Sequence, residues 1–440
     1  MIARGQGAYL YASDGARIID AISSWWVVTH GHCNRRIAAA IKRQVDRLDQ
    51  MIFANHTHQP AEDLARALVD MTADGLDHVF YCDSGSTAVE VALKMALGYW
   101  RNIGAPRQRI VVLEHGYHGD TIGAMSVGAR GVFNAAYEPL LFDVATIPFP
   151  AAGRAQATLD ALEAVCSGAD QKGGAGQKEG SGQEGGTSQK EDTPQGGGES
   201  VCKGDSERAR PAAFIVEPLL LGAGGMLIYD PATLREMKRI CERFDVLFIA
   251  DEIMTGWGRT GARFACDHAA VTPDIACYGK GLTGGALPLA VTMASARIFE
   301  AHRSSDRTKT FFHSSSFTAN PICCAAALEN LAIWRDEPVL ARVAAVEQMQ
   351  RAGLQKLRGL AGVSNCRQCG SVIALDVKAR GAGYLSEIGP KMLAFFAERR
   401  LLLRPLGNTI YVMPPYCVSQ SDLDEIYDAI GACVSRFGPP

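Results

Sequence analysis

The sequence predicts an α/β protein, with a large domain on a mostly parallel sheet and a smaller α+β domain. Two observations carry this. Short apolar runs with the texture of buried parallel strands stop abruptly on charged residues: 246–250 ends at Asp251, and 275–278 ends at Lys280, which stands between two glycines. From about residue 336 the pattern changes to long helices (338–359, 388–400, 421–435) alternating with isolated strands at 371–377 and 409–413. In an open α/β sheet, ligands sit beyond the carboxyl ends of strands, so Asp251 and Lys280 are expected to face one crevice.

Length and composition agree. The 440 residues suffice for one large domain plus a smaller one. A hydrophobic content of 47% with 21% charged residues suits a globular enzyme. The net charge of -3 gives no reason to expect nucleic acid or an anionic membrane as partner. No apolar run is long enough to span a bilayer, and the start of the chain lacks the pattern of a signal peptide. The 13 cysteines have no framework spacing, which fits free thiols in a reducing, cytoplasmic setting. Cys366 and Cys369 form a lone C-x-x-C without a second ligand pair, so no metal site is expected.

Taken in order, 8–20 alternate around the turn Ser13-Asp14-Gly15 and read as a hairpin. Trp25 and Trp26 follow in a loop, where they serve either as core packing or as an aromatic wall for a flat or long apolar substrate. Residues 35–50 and 60–73 have helical spacing. A strand at 79–82 runs through Asp83-Ser84-Gly85-Ser86-Thr87 into a helix whose Ala88, Val91, Ala92, Met95, Ala96 and Tyr99 share a face. Strand, small-residue turn and helix make a phosphate cradle, since free N–H groups and the dipole both favour an anion there. Gly85 lets the backbone approach and Ser86 adds a hydroxyl, although serines here are also ordinary helix caps. The strand 110–113 leads to Glu114-His115-Gly116-Tyr117-His118-Gly119-Asp120.

Residues 167–210 break the pattern. Positions 167–200 hold 11 glycines and no aromatic, Val, Ile or Leu, and read as a disordered, low-complexity insertion in a surface loop. The fold resumes with the strand 212–216 ending on Glu217, the loop 222–226, a helix near 232–244, and a strand at 288–293. The serines Ser314, Ser315 and Ser316 then precede an Asn320-Pro321 helix start. Residues 1–50 are assigned to the N-terminal part of the small domain, 51–335 to the large domain, and 336–440 to the C-terminal part of the small one.

A lysine and an acid at neighbouring strand ends have a chemical reading besides a structural salt bridge. A lysine amine condenses with an aldehyde. Pyridoxal phosphate needs such a lysine together with an acid at its ring nitrogen. The glycine pattern between the two favours this. Asp251-Glu252-x-x-x-Gly256-x-Gly258-Arg259-Thr260-Gly261, followed by Gly279-Lys280-Gly281, resembles the class III pyridoxal-phosphate aminotransferases, over nearly the whole chain outside the insertion.

The resemblance implies a fold-type I transferase with a seven-stranded type of sheet, working as a homodimer with its active site shared across the interface. It implies that Lys280 binds the cofactor and moves the proton, that Asp251 holds the ring nitrogen, and that Tyr117 covers the ring. Gly85, Ser86, Ser315 and Ser316 become cofactor ligands, Ser316 bonding the phosphate from across the dimer. Family members commonly carry Gly-Pro-Thr where this chain has Ser314-Ser315-Ser316; Ser316 keeps the hydroxyl. Three further features narrow the resemblance: Ser24-Trp25-Trp26, the Tyr117–Asp120 segment, and Arg404-Pro405-Leu406-Gly407-Asn408 leading to Tyr416. They match the members that use S-adenosylmethionine as amino donor and 8-amino-7-oxononanoate as acceptor, in biotin synthesis. Trp25 and Trp26 would line the acceptor chain, Arg404 would clamp its carboxylate, Asp120 would bond a substrate amine, and Ser314 would join the pocket. Such relatives carry an aromatic N-terminal motif ahead of the first residue here, so a product starting at Met1 is expected to turn over more slowly. An ω-amino acid or diamine aminotransferase keeps the chemistry and changes the substrate. A pyridoxal-phosphate isomerase would need no second substrate, and a non-catalytic binding protein would not need Lys280.

Overall fold

The computed structural model describes residues 1–171, 210–379 and 381–438. Its centre is a seven-stranded sheet. In spatial order the strands are His78–Cys82, Ala290–Ala294, Ile275–Tyr278, Leu247–Asp251, Ala213–Val216, Ile110–Leu113 and Ala145–Ile147. Only Ala290–Ala294 runs antiparallel to its neighbours. The central strands are apolar on both faces because helices cover both: every residue of Ile110–Leu113, Ala213–Val216, Leu247–Asp251 and Ile275–Tyr278 is buried. Asp251 pairs with Cys277 in parallel register, so the ends of these two strands lie side by side. That register is what brings Asp251 and the turn carrying Lys280 to one edge.

The helix Gly85–Asn102 lies on one face of the sheet and buries Ala88, Val89, Val91, Ala92, Leu93, Ala96, Tyr99 and Trp100. On the other face Pro231–Arg243, started by the Asp230 side chain at the Thr233 amide, packs Leu234, Met237, Ile240 and Cys241 into the core. The helix Pro321–Asp336 is capped by Asn320, which accepts from Ile322 and Cys323 N–H. It packs on Arg35–Val45, so Ile37 joins this first core although it lies near the N-terminus.

A second core gathers Ala8, Ile19 and Ile22 with Ile373, Leu375, Phe396, Ile410, Leu423 and Ile430 from the C-terminal third. The strand Arg17–Asp20 pairs in parallel with Leu401–Leu402, and Val363–Cys369, Val372–Val377 and Thr409–Val412 form a three-stranded antiparallel sheet. The two ends of the chain are thus sewn together above the central sheet.

Three local expectations change. The hairpin at 8–20 gains a partner, Ile2–Gln6, whose side chains are mostly exposed and so show no apolar alternation. A helix, Ala155–Ser167, precedes the glycine-rich tract and ends in left-handed Gly168; a 3-10 turn, Ala169–Gln171, follows. The break expected at 167 therefore falls later, and the expected disordered insertion lies otherwise outside the described residues. The loop at 222–226 is the tip of a short hairpin, Leu220–Leu221 with Leu227–Ile228.

Among the described residues no helix is long and apolar enough to cross a membrane, and every cysteine is a free thiol.

Candidate active site

Asp251 ends its strand with 4% of its surface exposed. One carboxylate oxygen lies 2.7 Å from His118 Nδ1, and the other accepts the Ile253 N–H at 3.2 Å. Burial opposes a charge on His118, but the bond to Asp251 and its charge outweigh this and raise the imidazole pKa. An ionised carboxylate offers about four acceptor sites, so Asp251 retains capacity for a further donor.

Lys280 opens a 3-10 turn, Lys280–Thr283, directly after Gly279. Its φ of 43° puts a non-glycine residue in the left-handed region. A Cβ at Gly281 would stand 2.8 Å from Trp257 Cβ, which explains the second glycine of the pair. The Lys280 amine makes no hydrogen bond or ion pair among the described residues and lies 5.4 Å from the Trp26 ring centroid. Lys280 is half-buried by area, yet desolvation of its amine lowers its pKa against the pull of Asp251 and Glu217. A lowered pKa leaves more of the amine neutral and nucleophilic.

The start of Gly85–Asn102 faces the segment 117–120. The Ser86 hydroxyl accepts the Asp120 N–H at 3.2 Å. Gly119, at φ 130°, sits so close that a Cβ there would come within 2.2 Å of Ser86 Oγ. Gly85 presses on Ile253, where a Cβ would meet Cγ2 at 2.9 Å. Ser84 caps the helix through the Thr87 N–H, leaving the first-turn amides of Gly85 and Ser86 for an anion. Tyr117 is half-buried, and burial followed by the charge of Asp120 keeps its phenol protonated.

Sequence reading missed Glu217 as a site residue. It is buried, accepts the Tyr117 N–H at 3.0 Å and the Gly222 N–H at 2.9 Å, and so joins the Tyr117 loop to the 220s hairpin. Burial pushes its pKa up to about 7, with His118 acting the other way. Its signal was the one that marked Asp251: an apolar strand stopping on an acid. Arg259, noted only as part of the glycine motif, is fully buried. It donates to the carbonyls of Trp26, Val28 and Pro414 at 3.3, 3.0 and 3.2 Å, and so fixes the tryptophan segment against the C-terminal loop.

That segment is strained. Ser23, Ser24 and Trp26 all have positive φ, and Asp20 holds the bend through the Ser24 N–H at 2.7 Å. The result splits the two tryptophans. Trp26 is buried and donates from Nε1 to the Tyr411 hydroxyl at 2.9 Å. Trp25 is 56% exposed and carries the Arg404 guanidinium 4.5 Å over its ring. Tyr411 itself has its pKa pushed up to about 12 by burial.

The serine loop reaches the 83–87 turn through Asp83. Ser315 donates its hydroxyl to Asp83 at 2.9 Å, the Ser316 carbonyl accepts from Gln50 at 2.6 Å, and Ser314 is exposed. Among the described residues no hydrogen bond joins these three to Ser86, Asp251 or Lys280.

A free amine of lowered pKa, a paired carboxylate and a bare helix start make a constellation for carbonyl chemistry on a phosphorylated ring. The family model for aminotransferase class-III matches residues 1–434. The chain belongs to the class-III aminotransferases. Among relatives of this class-III enzyme, the adenosylmethionine-8-amino-7-oxononanoate aminotransferase of Synechococcus elongatus is 42% identical over 429 residues, covering 98% of this chain and 93% of the relative. The Geobacter sulfurreducens enzyme of the same name is 35% identical, at 98% and 90% coverage. The solved structure of the Methanocaldococcus jannaschii enzyme of that name superposes with a TM-score of 0.86 at 30% identity, over 99% of this chain and 93% of that one. An amine transaminase from an uncultivated Pseudomonas species, solved in its pyridoxal-phosphate-bound form, gives 0.85 at 29%, over 100% and 95%. The class-III fold is therefore that of a pyridoxal-phosphate-dependent aminotransferase. The residues present fit that cofactor: an unpaired amine, an acid with spare acceptor capacity, and a helix start with free amides.

Proposed function

We propose that the protein transfers an amino group from S-adenosylmethionine to 8-amino-7-oxononanoate, forming 7,8-diaminononanoate on the route to biotin, with pyridoxal phosphate as cofactor. It does so in the cytoplasm as a homodimer. The observation that carries the substrate reading is the pair of consecutive tryptophans. Trp26 lies against the Lys280 amine and Trp25 lies under the Arg404 guanidinium, so one short segment joins the reacting amine to a carboxylate clamp. A long apolar chain ending in a carboxylate fits between such ends.

When bound, pyridoxal phosphate supplies an electron sink for the bond breaking at the substrate carbon. The protein does the rest. Gly85 and Ser86 offer amides and a hydroxyl to the phosphate. Asp251, oriented by His118, would accept from the cofactor's ring nitrogen. Tyr117 would cover the ring, its loop fixed by the Glu217 bond to its backbone. The Lys280 amine would take the proton from the substrate carbon and return it at the neighbouring position, as general base and then acid. Asp120, beside Tyr117, receives a substrate amine, and Arg404 with Trp25 receives the far carboxylate. Ser314, Ser315 and Ser316 serve the neighbouring subunit, with the hydroxyls of the last two on its phosphate. The large domain (51–335) carries the cofactor, and residues 1–50 with 336–440 are assigned to the smaller domain, although the helix Arg35–Val45 packs on the large-domain core.

The test is a coupled assay supplying 8-amino-7-oxononanoate and one amine donor at a time. Turnover with S-adenosylmethionine is expected. Turnover only with ω-amino acids or diamines, and none with 8-amino-7-oxononanoate, would replace this reading with the broader ω-aminotransferase one.

A further inference from the structure

A 3-10 turn is held by i→i+3 bonds of poor geometry and needs outside support to be rigid. The turn Lys280–Thr283 needs it more than most, because its first residue is a lysine in the left-handed region. Within the turn, Leu282 N–H reaches the Gly279 carbonyl and Gly284 N–H reaches the Gly281 carbonyl, both at 2.9 Å. From outside, one side chain grips it. Asn330, in the middle of the helix Pro321–Asp336, donates from Nδ2 to the Gly281 carbonyl at 3.1 Å and to the Leu282 carbonyl at 3.0 Å. Asn330 is fully buried, on a helix face otherwise made of Ala326, Ala327, Leu331, Ile333 and Trp334.

A buried amide on an apolar face costs free energy unless its hydrogen bonds are made. Here both amide protons are spent on the two carbonyls that follow Lys280. The contact is close on all sides: a Cβ at Gly281 would press on Trp257, and one at Gly284 would meet Ile37 at 2.6 Å and the Asn330 carbonyl oxygen at 3.2 Å. The turn is therefore clamped between Trp257, Ile37 and the Asn330 amide.

We propose that Asn330 is a positioning residue for Lys280: its side-chain amide holds the turn that aims the lysine amine, so that the amine meets the cofactor's aldehyde in a reactive geometry. The proposal rests on the reading of Lys280 as the group that condenses with that aldehyde. Asn330 is fully buried and bonds the backbone of the turn, not the Lys280 side chain. It acts through the backbone, and losing it shifts the amine by the small distances to which such condensations are sensitive.

The experiment compares two ligands on the cofactor-stripped protein. One is pyridoxal phosphate. The other is 4-deoxypyridoxine phosphate, which has the same ring and phosphate but no aldehyde. Dissociation constants are measured by equilibrium dialysis for the wild type and for Asn330→Leu, Asn330→Asp and Asn330→Ser. Asn330→Leu keeps the volume and removes both donors. Asn330→Asp keeps the shape and replaces donors by acceptors, and Asn330→Ser can restore one donor. Affinity for pyridoxal phosphate is expected to fall at least about tenfold in the Leu and Asp variants and less in the Ser variant, while affinity for the analogue stays within about twofold. An unchanged preference for the aldehyde in any folded variant lacking both donors overturns the proposal, as does an equal loss for both ligands, which marks a merely structural residue. A wild-type protein with no preference for the aldehyde removes the reading of Lys280, and the proposal falls with it.

Discussion

His118 and Asp251 hold each other in a buried pair, and the pair makes a directional prediction. Burial lowers the His118 pKa and Asp251 more than restores it. Asp251→Asn removes the charge and leaves the burial. With Glu217 still facing it, the imidazole pKa is then expected to fall, which an NMR titration of His118 reads directly; an unmoved pKa would mean that Asp251 is not its partner.

His30 gives the opposite case. It is wedged between Trp334 and Tyr416, and burial lowers its pKa to about 4, from 6.5. The unfolded chain binds this proton below about pH 6.5 and the folded chain only near 4. Stability is therefore fully present above the unfolded value and is lost as pH falls toward the folded one, by about 2 kcal/mol at pH 5 for this group alone. Denaturant titrations at pH 7.5 and pH 5 are expected to show a smaller acid loss for His30→Phe than for the wild type. Equal losses would contradict the assignment.

At the scale of elements, the approach of one loop to one helix start decides the phosphate end of the site. Gly119 lies against Ser86 with no room for a methyl group and with a backbone angle that alanine rarely adopts. Gly119→Ala is expected to push the 117–120 segment off the helix, weaken pyridoxal phosphate binding by about tenfold or more, and cost at least about 1 kcal/mol of stability. A fluorescence titration with the cofactor measures the first effect and thermal unfolding the second; unchanged values for both would show that the loop relaxes freely.

Elements also set how much could be read in advance. Strand ends were legible because burial on both faces writes an unbroken apolar run, and a run that stops on Asp251 or just before Lys280 announces itself. Glu217 carried the same mark and was passed over because the glycine stretch after it, 222–225, holds no lysine to pair with it. His118 was visible only as an aromatic in a loop, since its partner lies 133 positions away. Asn330 had no local signal at all: a single asparagine in an apolar helix acquires its meaning from a turn 48 and 49 residues earlier. The strand Ile2–Gln6 was missed because an exposed edge strand writes no alternation.

For the whole molecule, the serine loop decides whether one chain suffices for a site. Ser315 is tied to Asp83 and does not contact Lys280 within the chain. If the loop serves the neighbouring subunit, subunits inactive through Lys280→Ala and subunits inactive through Ser316→Asp are expected to regain activity when mixed and refolded together. Each mixed dimer then owns one intact site. Mixtures that stay inactive would place the loop at its own chain's site or outside the active site.

The chemistry of the account converges on one amine. Borohydride reduction of the cofactor-loaded protein, followed by peptide mass spectrometry, locates the bond between pyridoxal phosphate and the chain. The phosphopyridoxyl group is expected on Lys280 and on no other lysine. Its recovery on a different residue, or on none, would contradict the reading of this strand end as the reacting centre.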